Sequence, residues 1–344
     1  MKVKKIGILT AGGDCPGLNA AIRGVGKTAI VNYGMKVIGF TAGFSGLIEK
    51  DYVELKERHL SGILTVGGTI LGTSREKPFK ADKNGWNEKP ELIVRHYQEL
   101  GLDAIVCIGG NGTMKTAGKL SKEGLNVVGI PKTIDNDVWG TDVTFGFDSA
   151  FQIATEAIDR LHTTANSHQR VMVIELMGHH TGWIALYAGM AGGGDIILIP
   201  EIDYNIRSVC KKIEERFENK KAYSIVVVAE GIKRPEGVSA GRYVAEAINI
   251  FTGIETRETI LGYVQRGGSP SPTDRILATR YGAFAAQCIA EEAFGTMVAI
   301  KNDNLITVPL EEVSDRLRNV DPNHSMIAKA KQMGVSFGDE FPTE

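Results

Sequence analysis

Two aspartates, Asp135 and Asp137, stand two residues apart behind a threonine in the segment IPKTIDND, where an apolar run of the chain ends. Alternate side chains of an extended segment point the same way, so we expect both carboxylates on one side of the backbone. One carboxylate could then remove a proton from a substrate hydroxyl, while the other orients it or holds a magnesium ion through water. The alternative is a turn rich in Asp and Asn, which needs no chemistry.

Two glycine-rich segments indicate a phosphate ligand. TAGGDCPG (residues 10–17) and IGGNGT (residues 108–113) each follow an apolar run and precede a helical pattern. Glycines allow backbone N–H groups to approach a phosphate, and the N-terminus of the following helix adds partial positive charge. The spacing is neither GxGxxG nor GxxxxGK[ST], which excludes a dinucleotide fingerprint and a P-loop. One such segment could be a plain turn, whereas two in one sheet favour phosphate binding.

Four arginines and a glutamate could add contacts to a phosphorylated sugar. Arg75 follows GGTILGTS, Arg170 stands at the mouth of a predicted strand, and Arg257 and Arg266 begin and end the predicted strand RETILGYVQR. Guanidinium groups suit bidentate phosphate binding, although each one alone is typical of a surface salt bridge. Glu230, which closes IVVVAEG, is a carboxylate able to accept hydrogen bonds from sugar hydroxyls.

Strands and helices alternate along almost the whole chain and would position these residues. Continuous apolar runs such as DAIVCIGG and SIVVVAE are typical of parallel strands buried on both faces. The pattern predicts an α/β fold with two doubly wound, mostly parallel sheets, that is, two Rossmann-like lobes with the active site between them. We expect the site at the carboxyl ends of the strands.

The composition narrows the class of protein. The chain has 344 residues, 43% of them hydrophobic, and a net charge of −2, which suits a globular protein without a nucleic-acid or membrane partner. The N-terminus has too short an apolar run for a signal peptide, and four dispersed cysteines indicate thiols in a reducing cytoplasm. The histidines His168, His179 and His180 lack the spacing of a zinc site.

Together and in this order, the segments resemble the 6-phosphofructokinase family. The likeness runs from GILTAGGDCPGLNAAIRGV through GGTILGTSR, GGNGT, PKTIDND and SHQR to ETRETILGYVQRGGSP, roughly residues 4 to 300. It implies the glycolytic transfer of a phosphoryl group, with Mg²⁺ as cofactor, from ATP to the 1-hydroxyl of fructose 6-phosphate, giving fructose 1,6-bisphosphate. It also implies a homo-oligomer, a dimer or tetramer, whose active sites are shared between subunits. The predicted donor lobe is 1–145 with 257–305, and the predicted fructose 6-phosphate lobe is 146–256 with 306–344.

The resemblance also assigns roles to residues. Asp135 is the expected base, and Asn111 and Asp137 lie at the expected metal site. The expected nucleotide-binding residues are Gly12, Arg75, Glu76, Gly110, Asn111, Gly112 and Thr113. The expected substrate-binding residues are Thr133, Asp135, Arg170, Met177, Gly178, His179, Glu230, Arg257, Tyr263, Val264, Gln265 and Arg266. Arg170 and Arg257 are expected to reach the sugar phosphate bound by a neighbouring subunit.

Gly112 and Lys132 are the expected determinants of donor selectivity, and their combination is mixed. Pyrophosphate-dependent relatives usually pair an aspartate with the lysine, whereas ATP-dependent bacterial relatives often have glycine at both positions. A glycine at 112 leaves room for the α-phosphate of a nucleotide, and Lys132 would be a mobile cation that serves either donor. We therefore expect ATP as donor, with pyrophosphate as the alternative.

Three readings from other classes are weaker. Asn111 replaces an aspartate found in many relatives, which would suit a non-catalytic sugar-phosphate-binding paralogue. Lipid and NAD kinases use a similar glycine turn but lack TIDND and QRGG. A nicotinamide dehydrogenase would require the missing GxGxxG.

Overall fold

The computed structural model describes residues 4–81 and 85–340. The chain divides into two compact units, Met1–Ser149 with Arg266–Arg318 and Ala150–Gln265 with Asn319–Glu344. Numbered along the chain, the strands are β1 (Lys5–Thr10), β2 (Lys36–Phe40), β3 (Tyr52–Leu55), β4 (Ala104–Gly109), β5 (Val127–Pro131), β6 (Val171–Leu176), β7 (Ile196–Leu198), β8 (Ser224–Ala229), β9 (Thr256–Ile260), β10 (Thr296–Lys301) and β11 (Asn304–Pro309).

The α-helices are α1 (Leu18–Lys27), α2 (Phe44–Glu49), α3 (Glu57–Leu60), α4 (Lys89–Glu99), α5 (Asn111–Lys122), α6 (Phe147–His168), α7 (Trp183–Ala191), α8 (Ile206–Glu218), α9 (Ala240–Thr252), α10 (Pro272–Ala290), α11 (Leu310–Val313) and α12 (Ser325–Gln332). A π-helix covers Thr28–Asn32, and a 3₁₀-helix covers Gly262–Arg266. Within the described ranges, no helix is both long and apolar enough to cross a membrane.

The first unit contains a seven-stranded sheet in the order β11-β10-β5-β4-β1-β2-β3. Its neighbouring strands are parallel except for the pairs β2–β3 and β10–β11 at the two edges. The adjacent strands β4 and β5 are buried throughout, which explains their unbroken apolar sequences. Because β1, β4 and β5 are parallel neighbours, the segments that follow them leave the same edge of the sheet.

The second unit contains a four-stranded, all-parallel sheet in the order β7-β8-β6-β9. Val171 in β6 is paired with Ser224 in β8 and with Thr256 in β9. The α/β class and the two mostly parallel sheets predicted from the sequence are therefore confirmed.

Two glycines allow close packing between two helices of the first unit. Helix α1 packs closely against α10. A Cβ at Gly24 would lie 2.8 Å from the carbonyl oxygen of Thr279, and one at Gly282 would lie 2.5 Å from that of Ala21. A side chain at either position would push the two backbones apart, so close contact between these helices requires both glycines.

The observed units differ from the predicted lobes at three segments. Residues 257–265 fall in the second unit because β9 pairs with β6, and 306–318 fall in the first because β11 pairs with β10. Residues 146–149 also belong to the first unit. The strand predicted to run from Arg257 to Arg266 was wrong in its second half, since β9 ends at Ile260 and the 3₁₀-helix follows. The edge strands β3, β10 and β11 were not predicted.

Candidate active site

The carboxyl ends of β1, β4 and β5 open onto a cavity of about 720 Å³ within the first unit. This volume is typical of small-molecule sites. Twelve of the predicted site residues line it: Gly12, Arg75, Glu76, Gly110, Asn111, Gly112, Thr113, Lys132, Thr133, Asp135, Asp137 and Arg266. The structure therefore collects the predicted donor residues and the aspartate pair around one space.

The aspartate pair is carried by a turn and not by an extended segment. Asn136, between the two, has a φ of 53°, in the left-handed region. The expectation that the segment is extended, with alternating side chains, was therefore wrong. Both carboxylates still line the cavity. Thr133 Oγ1 accepts the N–H of Asp135 at 3.0 Å and lies 3.2 Å from its Oδ2, which fixes the threonine against the first carboxylate.

The second carboxylate lies in an environment that disfavours its charge. Burial, and then the negative charge of Asp135, raise the pKa of Asp137 from 3.8 to about 7. Beside it, the Oδ1 atom of Asn111 is buried without a hydrogen-bond partner, while its Nδ2 lies 3.4 Å from the main-chain oxygen of Asp137. Both features indicate that a cation would be favourable here.

These oxygens suit Mg²⁺ as a partial set of ligands. In the described part of the chain, no group of three or more His, Cys, Asp or Glu residues is arranged to hold a metal ion. Mg²⁺ is usually bound by one or two carboxylates together with waters and substrate phosphates, so a full protein cage is not required. Asp137 and the Oδ1 atom of Asn111 fit that pattern.

One side of the cavity is formed by a helix N-terminus. Helix α5 runs for 12 residues from Asn111 and is preceded by Gly110 as N-cap, and residues 110–113 line the cavity. The helix dipole and the first N–H groups favour an anion at this end. A Cβ built on Gly112 would meet nothing within 4 Å, so the passage beside this residue is open.

Lys132 holds the first glycine turn. The Lys132 side chain donates to the carbonyl oxygen of Gly13, and Arg266 Nη1 donates to that of Asp14 at 3.1 Å. Lys132 is only 3% exposed, and burial lowers its pKa. The expectation of a mobile cation was therefore wrong, because the ammonium group is enclosed and hydrogen-bonded.

In the second unit, Glu230 organises the turn after β6. Its Oε1 accepts the N–H of His179 at 2.8 Å and that of Gly178 at 3.3 Å. Gly178 has a φ of 150°, and a Cβ there would lie 2.5 Å from the carbonyl oxygen of Thr181. Met177, Gly178, His179 and Glu230 thus form one structured group at the carboxyl ends of β6 and β8.

Arg170 and Arg257 lie at the opposite ends of these parallel strands. Arg170 directly precedes β6, and Arg257 is the second residue of β9. Glu255 joins them, with its carboxylate oxygens 2.8 Å from Arg170 Nε and 2.5 Å from Arg257 Nη2. Arg170 was predicted at the mouth of a strand and Arg257 at the start of one, and the parallel strands put both a strand length from Glu230.

The 3₁₀-helix carries the remaining predicted residues. Tyr263 and Val264 are exposed, whereas Gln265 is fully buried and donates from Nε2 to the carbonyl oxygen of Gly262 at 3.1 Å.

Phe44, Phe79 and Lys119 also line the cavity of the first unit and were not predicted. Lys119 lies over the ring of Phe79, at 5.1 Å from its centroid, and nothing in their spacing indicated that contact.

Glycine turns, a helix N-terminus, cationic groups and a carboxylate beside a threonine are the parts that phosphoryl-transfer enzymes use. The sequence model of the family described as Phosphofructokinase matches residues 5–289 of this chain. The chain belongs to the phosphofructokinase family.

Named relatives agree with this assignment. The chain is 59% identical over 337 residues to ATP-dependent 6-phosphofructokinase 3 of Bacteroides thetaiotaomicron, covering 97% of this chain and all of the relative. It is 54% identical to an ATP-dependent 6-phosphofructokinase of Spirochaeta thermophila, covering 98% of each. Among solved structures, a phosphofructokinase of Pichia pastoris in the T-state is similar with a TM-score of 0.83 and 32% identity, over 97% of this chain and 37% of that one.

Proposed function

We propose that the chain is a glycolytic phosphotransferase that moves the terminal phosphoryl group of ATP to the 1-hydroxyl of fructose 6-phosphate, giving fructose 1,6-bisphosphate. Relatives at 54% and 59% identity carry the name of this activity. The observation that carries the proposal is the cavity in which Asp135, with Thr133 against it, and the open helix end at Gly112 line one space. Such an enzyme acts in the cytoplasm.

The donor is bound by the glycine turns and the N-terminus of α5. Gly12, Gly110, Gly112 and Thr113 offer close backbone approach to phosphates, and Arg75 contributes charge at the transferring group, with Glu76 beside it. Asp137 and Asn111 would hold Mg²⁺ through their side-chain oxygen atoms. When bound, the ion neutralises charge on the donor phosphates.

The acceptor is activated by Asp135. Its carboxylate accepts the proton of the 1-hydroxyl, and Thr133 orients it through the contact between Thr133 Oγ1 and Asp135 Oδ2. Phosphoryl transfer needs position and charge neutralisation more than covalent chemistry, which is why a single base suffices.

Fructose 6-phosphate is bound by Met177, Gly178, His179, Glu230, the 3₁₀-helix residues Tyr263, Val264 and Gln265, and Arg266. The carboxylate of Glu230 serves both its turn and the sugar hydroxyls. All of these roles rest on the family resemblance together with the local geometry described above.

Arg170 and Arg257 bind the 6-phosphate in the active site of a second copy of the chain. Strand β6 is 6 residues long, so its flanking residues Arg170 and Met177 are about 23 Å apart at roughly 3.3 Å per residue. That is too far for the arginines to meet a small sugar phosphate held at Glu230 of the same chain. We infer a homo-oligomer, a dimer or tetramer, with shared sites.

Pyrophosphate is the alternative donor, because pyrophosphate-dependent relatives usually carry a lysine at the position of Lys132. Because this side chain is bound to the carbonyl oxygen of Gly13, it supports the turn for either donor and does not select one. The open passage at Gly112 therefore favours ATP.

One assay tests the proposal and its alternatives. Purified protein with Mg²⁺ and fructose 6-phosphate is given ATP in one series and pyrophosphate in another, and fructose 1,6-bisphosphate is measured. We expect turnover mainly with ATP. Turnover with pyrophosphate alone would reverse the donor assignment, and binding of fructose 6-phosphate without any turnover would support the non-catalytic paralogue.

A further inference from the structure

The backbone between the two carboxylates of the cavity is left-handed. Asn136 adopts a φ of 53° although it is not a glycine, and its side chain is 2% exposed. Left-handed backbone is uncommon at residues with a side chain, although Asn tolerates it better than most, and it persists where surrounding contacts hold it. The directions of Asp135 and Asp137 therefore depend on whatever holds Asn136.

Two groups contact this residue, one at its side chain and one at its main chain. The Oδ1 atom of Asn136 accepts the main-chain N–H of Thr144 at 3.0 Å, and its carbonyl oxygen accepts Nη1 of Arg318 at 3.0 Å. Thr144 is a near neighbour in sequence. Arg318 is 182 residues away and belongs to the segment after β11.

The same segment also holds the second aspartate. The N–H of Arg318 donates to the carbonyl oxygen of Asp137 at 2.9 Å, and Leu317 pairs with Val138 in an antiparallel bridge. One arginine thus contacts two successive carbonyls, through its side chain at Asn136 and through its backbone at Asp137. Hydrogen bonds from a charged donor are stronger than those from a neutral donor. The guanidinium group of Arg318 is therefore well suited to hold the left-handed backbone at Asn136.

We propose that Arg318 is a positioning residue of the active site, which fixes the turn between Asp135 and Asp137. The inference rests on the proposed function, because it assigns Arg318 to the reaction in which Asp135 is the base. Arg318 lies outside residues 5–289, the part of the chain that the family model matches. It is not among the residues that line the cavity, and it contacts the turn at Asn136 and Asp137.

The test uses the full-length protein with two variants at this position. Arg318→Met keeps an apolar stem and removes the charged donors, whereas Arg318→Gln keeps a neutral donor. The backbone N–H that contacts Asp137 is retained in both, so each variant changes only the contacts of the Arg318 side chain, among them the one to the carbonyl oxygen of Asn136. The matched control is Arg280→Ala, since Arg280 Nη2 also donates to a main-chain carbonyl, that of Asp303 at 2.6 Å, in the same unit.

We expect kcat with ATP and fructose 6-phosphate to fall about 10-fold in Arg318→Met and less in Arg318→Gln, because small misplacement of a base lowers the rate steeply. Both KM values should stay within about 2-fold, since no ligand contact is removed. Added guanidinium chloride at millimolar concentration should raise kcat of Arg318→Met and leave Arg280→Ala unchanged. General damage to the fold would produce neither the KM–kcat separation nor the rescue.

The outcomes separate the two levels of inference. An inactive wild-type protein refutes the proposed function. An active wild type with unchanged kcat in both Arg318 variants overturns the role of Arg318, as does a loss in Arg318→Met that guanidinium does not reverse. If Arg318→Met does not fold, Arg318→Gln decides by its kcat, and a value equal to that of the wild type refutes the inference.

Discussion

Lys132 and Gly13 are joined by a hydrogen bond from the buried ammonium group to the main-chain carbonyl oxygen. The bond fixes the peptide that follows Gly13 and leaves the lysine as a fixed cation beside the cavity. This relationship explains why a lysine stands next to the aspartate pair. It acts on the first glycine turn, where we propose that the donor phosphates bind.

The first prediction is that Lys132→Met weakens donor binding. It removes both the charge and the support of the glycine turn, so the KM for ATP should rise by about 10-fold or more, with a smaller fall in kcat. Steady-state kinetics at saturating fructose 6-phosphate measure this. The control is Lys122→Met at an exposed position near the end of α5. An unchanged KM for ATP would contradict the role given to Lys132.

The second prediction concerns donor choice at Gly112. Because a Cβ there meets no atom within 4 Å, Gly112→Asp should fold normally, and its charge at the N-terminus of α5 is compatible with the helix dipole. In the cavity, however, the carboxylate repels nucleotide phosphates. We expect kcat/KM for ATP to fall about 100-fold, while pyrophosphate use is kept or raised.

Gly112→Asn is the matched control for that experiment, since it adds similar bulk without charge. Equal losses in the two variants would assign the effect to size alone. A wild-type enzyme that uses pyrophosphate but not ATP would show that the open passage at Gly112 does not determine the donor.

The third prediction is that Asp135→Asn abolishes most turnover without loss of substrate binding. The amide cannot accept the hydroxyl proton, so kcat should fall by about 10²–10⁴. Calorimetric titration with fructose 6-phosphate should give a dissociation constant close to that of the wild type. Asp303→Asn, at an exposed position of the same unit, serves as control. A variant that retains most of its turnover would exclude Asp135 as the base.

The sequence predicted the central part of the site because that part is local. The segments around Gly12, Gly112 and Asp135 each follow an apolar strand, and parallel strands bring their carboxyl ends to one edge. A continuous apolar run such as AIVCIG is typical of a strand buried on both faces, and the α/β class was predicted from such runs. Their functional roles remain predictions.

The rest could not be read from the sequence, for three physical reasons. The left-handed turn at Asn136 is held by Arg318, and no spacing rule links residues that far apart. The 3₁₀-helix that ends at Arg266 contains Tyr263 and Val264, residue types that favour strands, so its sequence predicted a continued strand. The bridge that Glu255 forms between Arg170 and Arg257 depends on the pairing of β6 with β9, which no local pattern indicates.

The fourth prediction concerns stability and Asp274, which is fully buried and whose Oδ2 accepts the Ser149 Oγ–H at 2.6 Å and its N–H at 2.8 Å. Burial raises the pKa of Asp274 from 3.8 to about 6. Between these values the folded protein binds more protons than the unfolded one, so this group lowers the free energy of unfolding as pH rises. The full effect is about 3 kcal/mol, complete above pH 6 and absent below pH 4.

Asp274→Asn should remove this pH dependence. The amide oxygen can still accept from Ser149, but the group no longer ionises. Denaturant unfolding of wild type and variant between about pH 4 and 7 should therefore show the variant gaining stability relative to the wild type as pH rises. Parallel stability curves across this range would refute the assignment.

The fifth prediction is that two inactive variants complement each other. Arg170→Ala removes a phosphate contact from the amino edge of the second-unit sheet, and Asp135→Asn removes the base. If sites are shared between copies, as we propose, subunits mixed during reassembly form some sites with both residues intact. Activity should then reappear, approaching about a quarter of the wild-type value when half of the subunits are of each kind and pair at random.

Arg170→Ala mixed with Arg257→Ala is the control and should recover less. Glu255 bridges these two arginines within one chain, so both belong to the same half of a shared site. Mixed oligomers verified by mass spectrometry that show no recovered activity would rule out shared sites.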